Sequence, residues 1–111
     1  MSERYRVAEL GAIPDGRGVR VEVPGHRIAV FRIGAEVYAI GDRCSHAEAS
    51  LAEGELFDYD VECPRHGSEF DVRTGEPRSL PATRPVPVYD VIVLDGVVFV
   101  DVDEVVREES A

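Results

Sequence analysis

Cys44-Ser45-His46 and Cys63-Pro64-Arg65-His66 are the two boxes around which this chain is organised. The second begins seventeen residues after His46, and together they hold both cysteines and two of the three histidines in the sequence. Nearly all of the soft metal-ligand capacity thus sits in two short segments. Thiolate with imidazole suits zinc, copper or iron–sulfur chemistry rather than calcium or magnesium. In an extended or turning segment, residues i and i+2 lie on one side, about 6.5–7 Å apart at the backbone. A Cys–His pair at that spacing chelates one small ion only with strain but serves two adjacent metals easily. Structural zinc sites usually leave a wider gap between paired ligands, so the lone Ser45 between Cys44 and His46 argues against zinc. A [2Fe-2S] cluster with Cys44 and Cys63 on one iron and His46 and His66 on the other uses all four side chains.

The pattern C-x-H…C-x-x-H, continued by Gly67-Ser68, resembles that of Rieske-type ferredoxins, the small electron carriers of bacterial ring-hydroxylating oxygenase systems. The resemblance covers most of the chain. It includes Leu80-Pro81-Ala82-Thr83, which matches the proline loop that covers the cluster in that family. Respiratory-chain Rieske proteins carry an extra, disulfide-forming cysteine in each ligand loop. The corresponding positions here, near Glu48 and at Arg65, are not cysteine, so the similarity is to the ferredoxin branch. High-potential members place a serine after the second box and a tyrosine two residues on; this chain has Ser68 and Phe70.

The resemblance implies one Rieske-type [2Fe-2S] cluster per chain, held by Cys44, His46, Cys63 and His66 in an all-β Rieske domain. It implies an electron carrier, not an enzyme, working between a flavin-containing ferredoxin reductase and a terminal non-heme iron oxygenase. A cytoplasmic monomer without nucleic-acid or membrane partners is the form expected. A complete oxygenase would need two more histidines for its mononuclear iron, and only His26 is left. The small Rieske-like subunit of an assimilatory nitrite reductase and an accessory ferredoxin of iron–sulfur assembly remain as alternatives.

Composition agrees with this class. At 111 residues the chain is expected to form one domain, residues 1–111, around a single core. Its charged start, Met1-Ser2-Glu3-Arg4, lacks the apolar stretch of an export signal. No apolar run approaches the length of a membrane span. The formal charge of −10 repels nucleic acid and anionic membranes and favours a basic partner surface. Two oxidised irons with their sulfides and two thiolates are neutral overall, so the cluster leaves that balance unchanged until an electron is added.

Short alternating segments separated by glycine or proline point to an antiparallel β-sandwich or barrel. Strands are expected over Tyr5–Leu10, Val19–Val23, His26–Ile33 and Glu36–Ile40, with Pro14–Gly18 as loop, Pro24-Gly25 and Gly34-Ala35 as turns, and Val86–Leu94 and Val97–Val102 as a hairpin through Asp95-Gly96. Between them, two loops presented by hairpins form an inserted cluster-binding subdomain over about residues 42–83. There Glu48–Leu51 carries a weak helical signal, and Leu51 and Leu56 are expected beneath the ligand loops. Five prolines, Pro64, Pro77, Pro81, Pro85 and Pro87, stiffen this part of the chain. Ser68 is a candidate hydroxyl donor to the cluster, and Gly67 a site of close backbone approach. Arg43 and Arg65 read as solvated loop arginines, His26 as a surface histidine, and the acidic tail from Asp103 as frayed.

Overall fold

Alternation along the strands sends one set of side chains to each face of a sheet, and in this protein the strand His26–Ile33 buries both sets. The computed structural model describes residues 2–44, 49–65, 67–78 and 84–103. Among the described residues nine strands follow in order: β1 (Ser2–Glu9), β2 (Arg17–Val23), β3 (His26–Ile33), β4 (Glu36–Gly41), β5 (Leu56–Phe57), β6 (Asp60–Glu62), β7 (Glu69–Asp71), β8 (Val88–Leu94) and β9 (Val97–Asp103). Short 3₁₀ turns occupy Leu10–Ala12 and Leu51–Glu53. Among the described residues no helix is long and apolar enough to cross a membrane.

Six strands form one antiparallel sheet in the order β1-β9-β8-β4-β3-β2, and its two edge strands, β1 and β2, come into contact as the sheet curls. A second sheet, β5-β6-β7, is built from the chain between β4 and β8. Strand β3 lies between two cores. Ile28 and Val30 pack with Ala39, Val98, Val100 and Val102 inside the curl. Ala29 and Phe31 face the other way, joining Ile40, Leu51, Val61, Phe70, Val72 and both cysteines. Complete burial of a side chain such as Phe31 or Phe70 contributes roughly 1.5–3 kcal/mol, so the second core ties the small sheet firmly to the large one.

The Asp95-Gly96 turn has φ of 51° and 76°, the left-handed pair that a type I′ hairpin requires. Three expectations shift. Arg17 and Gly18 belong to β2, paired with Arg32 and Phe31. Gly18 is there because any Cβ would run into the Phe31 ring, a packing reason that reads in sequence as loop composition. Strand β8 begins at Val88, not Val86, since Pro87 has no N–H and the Val86 N–H is committed to the Gly75 carbonyl at 2.9 Å. The helical turn lies at Leu51–Glu53 and does not include Ala49 or Ser50, because Asp42 takes the N–H groups of Leu51 on its backbone oxygen and of Ala52 on its carboxylate. Glu48, the Leu80–Thr83 loop and the tail beyond Asp103 lie outside the described residues.

Candidate metal centre

Each cysteine opens a hairpin, and the two hairpins follow one plan. In the first, the Cys44 N–H donates to the Ala49 carbonyl at 3.1 Å, Arg43 bridges Ser50, and the Leu51 N–H donates to the Asp42 carbonyl at 2.6 Å. In the second, the Cys63 N–H donates to the Ser68 carbonyl at 2.6 Å, and Glu62 pairs with Glu69 across β6 and β7. Either way the cysteine N–H is bonded to the carbonyl of the residue five positions further along. The Gly67 N–H closes the second tip on the Cys63 carbonyl at 3.0 Å, with φ of +78° at Gly67. That backbone region suits glycine. Among the described atoms a Cβ on Gly67 would meet only Glu62 Oε2 at 3.5 Å.

Both thiols are buried, Cys44 at 3% and Cys63 at 1% exposure, and neither is in a disulfide. They belong to one core with Leu51, Val61, Phe70 and Val72, while Leu56 packs half-buried against it. Two soft donors held in a single apolar environment by equivalent hairpins fit a thiolate-bound metal group and leave no structural need for a bridge between them. Among the described residues no group of three or more His, Cys, Asp or Glu side chains gathers around a metal-sized space. His46 and His66 lie outside the described residues.

Ser68 is completely buried beside the second tip. Phe70, two residues on, shares its side of the strand and packs in the core that holds both cysteines. The turn that follows is fixed by Asp71, whose carboxylate accepts three bonds from Arg73: from the backbone N–H at 2.8 Å, Nε at 3.1 Å and Nη2 at 2.9 Å. The guanidinium holds that carboxyl below the usual carboxylate range, against the opposing effect of burial.

A role not legible in the sequence belongs to Asp42. This buried carboxylate accepts from Ser50 Oγ at 2.8 Å and from the Ala52 N–H at 2.9 Å with one oxygen, tying together the two sides of the first hairpin. Nothing in the Gly41-Asp42-Arg43 run marks it as buried. His26 also departs from expectation. It is half-buried, with Nδ1 3.0 Å from the Tyr89 hydroxyl and the two rings edge-to-face, and so helps to hold β3 near β8.

With the two hairpins in view, the comparison with known proteins is decisive. The profile of the Rieske [2Fe-2S] domain matches residues 3–90. The chain belongs to the Rieske [2Fe-2S] domain family. The cofactor of a Rieske domain is a [2Fe-2S] cluster, and the donor chemistry of Cys44 and Cys63 fits it. The ferredoxin subunit of 3-phenylpropionate/cinnamic acid dioxygenase from Escherichia coli is 45% identical over 102 residues, covering 91% of this chain and 95% of that protein. Among solved structures, the ferredoxin of carbazole 1,9a-dioxygenase from Nocardioides aromaticivorans superposes with a TM-score of 0.85 at 42% identity, covering 87% of this chain and 95% of its own. A ferredoxin solved in complex with the oxygenase of carbazole 1,9a-dioxygenase gives a TM-score of 0.83 at 41% identity, covering 87% of this Rieske chain and 91% of the other.

Proposed function

We propose that the chain is the Rieske ferredoxin of a multicomponent dioxygenase, taking one electron from a flavin-containing reductase and delivering it to a terminal non-heme iron oxygenase. It is an electron carrier and transforms no substrate of its own, as its relatives named ferredoxin subunits of dioxygenases indicate. The site is Cys44 and Cys63 on one iron with His46 and His66 on the other, one cluster per chain. The domain spans residues 1–111, with a cluster-binding part over about residues 42–83 and a cytoplasmic, monomeric habit. The observation that carries the reading is the pair of buried, unbridged cysteines at equivalent positions of two hairpins.

Bound there, the cluster supplies a one-electron couple. The protein's part is to exclude water from the thiolates, which the second core does, and to set the charge around them. Histidines are neutral where an all-cysteine site would supply thiolates, so an added electron is less disfavoured. The decisive experiment is analysis of the purified protein. Two irons and two labile sulfides per chain are expected, with a Rieske-type electron paramagnetic resonance signal on reduction; stoichiometric zinc without sulfide would end this reading.

Ser68 and Phe70 give a sharper expectation. A hydrogen bond donated to cluster sulfur stabilises the more negative, reduced state, so removing one lowers the potential. One-electron couples shift by about 59 mV for each tenfold change, about 1.4 kcal/mol, and a bond to a charged acceptor is worth about 1.5–3 kcal/mol in full. Only the part that differs between redox states counts. Ser68→Ala is therefore expected to lower the potential by several tens of mV, on the order of one tenfold step or less, and Phe70→Tyr to raise it similarly. Film voltammetry reads both. If Phe70→Tyr leaves the potential unmoved and destabilises the protein, its hydroxyl is buried without a partner and does not reach the cluster.

The charge of −10 makes partner encounter electrostatic. Reduction by the cognate reductase is expected to slow as salt rises from about 10 to 500 mM, where the screening length falls from about 30 Å to a few ångströms. A rate indifferent to salt would reduce the acidic surface to a solubility device.

A further inference from the structure

Four of the twelve basic residues of this acidic chain, Arg20, Arg27, Arg43 and Arg65, line one concavity of about 660 Å³. They come from three distant parts of the sequence. Arg20 on β2 stands opposite Ala29 on β3, and Ala29 is two residues from Arg27, so both arginines are on the face that carries Ala29 and Phe31 toward the cysteines. The rest of the wall is ligand-loop chain: Arg43 immediately before Cys44, Ala49 and Ser50 closing that hairpin, and Pro64-Arg65 immediately after Cys63. Glu53 is the acidic member of the lining.

All four arginines are exposed. Arg4, Arg6, Arg73 and Arg78 each face an aspartate or glutamate within 2.8–3.5 Å, whereas Arg20, Arg27 and Arg65 make no ion pair within the described residues. The sequence has 22 acidic residues with which to neutralise them. Several guanidinium groups left together around a hollow repel one another and present forked donors that match carboxylates in a bidentate way. An island of opposite sign inside a negative field adds little to long-range attraction. What it adds is orientation, since only one placement of a partner satisfies both the field and the island.

We propose that this concavity is the seat for a carboxylate-bearing protrusion, one or two Asp or Glu side chains, on a redox partner protein. The contact would turn that partner's electron port toward the two ligand loops. The proposal rests on the reading of the chain as an electron carrier. The partner surface it calls for is basic overall with an acidic prominence set within it.

The test uses the iron-loaded protein and a hexaglutamate peptide, titrated calorimetrically at low salt, with iron content measured on every preparation. Arg20→Glu/Arg27→Glu is compared with Arg6→Glu/Arg17→Glu, which changes the net charge equally at exposed positions away from the concavity. The first pair is expected to weaken peptide binding at least about tenfold and the second less than about threefold. Equal losses would mean that net charge alone decides, and no measurable binding to the unaltered protein would remove the site. Inorganic phosphate binding as tightly as the peptide would make the hollow a small-anion site and overturn the docking role. Peptide binding retained by a protein that cannot be loaded with iron and sulfide on reconstitution would instead count against the electron-carrier reading and leave the seat standing, so the two failures are told apart.

Discussion

Cys63→Ser is expected to give a folded but colourless protein, with iron falling from two atoms per chain to background. Serine keeps nearly the shape of cysteine, and the bond from the residue 63 N–H to the Ser68 carbonyl does not involve the side chain. The second core can therefore persist, at a cost of about 1–3 kcal/mol for a buried hydroxyl without a firm partner. What is lost is the soft, readily ionised donor that iron–sulfur chemistry selects. Circular dichroism should still report a β protein while the visible absorption disappears. His46→Ala should also lose the cluster. The contrast is His26→Ala, which removes the bond and the ring contact to Tyr89 and should lower stability by about 1–2 kcal/mol with the visible spectrum intact. Full iron and sulfide in Cys63→Ser would show that the boxes do not hold the cluster as assigned.

The parts of this structure legible in the sequence are those that short-range chemistry determines. Strand β3 was marked by Pro24-Gly25 on one side and Gly34-Ala35 on the other, and its limits fall at His26 and Ile33 as expected. Asp95-Gly96 specified its own turn. The cysteines could be read because their spacing carries the chemistry and only two are present. Where the reading slipped, the cause was a distant partner. Gly18 looks like loop until Phe31 is placed over it. Asp42 looks like a solvated lead-in until Ser50 and Ala52 close on its carboxylate. Arg20 and Arg27 read only as the polar members of alternating strands, and no local signal ties them to Arg43 or Arg65. The concavity exists because β2 and β3 present one face to the ligand-loop segments, a relation of the fold and not of the sequence.

Gly54→Ala is expected to be among the most damaging of the single-methyl changes, and to act on the metal site from outside it. The backbone of Gly54 has φ of −78° and ψ of 166°, a conformation open to any residue, so its reason is contact. An added Cβ would fall on the Glu62 carbonyl oxygen and within 3.1 Å of Val61 Cγ2. Neither side can yield easily. The Gly54 N–H is bonded to Leu51 O at 3.0 Å, and the Glu62 N–H to Glu55 O at 2.9 Å with Glu62 also paired to Glu69. Leu51 and Ala52 lie behind the first hairpin, while Glu62 directly precedes Cys63, so pushing the two segments apart moves one cysteine hairpin relative to the other. Overpacking of this kind costs about 1–3 kcal/mol or more, and a backbone collision belongs at the upper end. Iron should pass to a chelator at least about tenfold faster than from the unaltered protein, since a loss near 1.4 kcal/mol of site integrity already corresponds to that factor. Gly11→Ala is the companion variant. It meets nothing within 4 Å and should leave stability within about 0.5 kcal/mol. If both variants melt together and release iron at one rate, the contact between Gly54 and Glu62 does not hold the two hairpins in register.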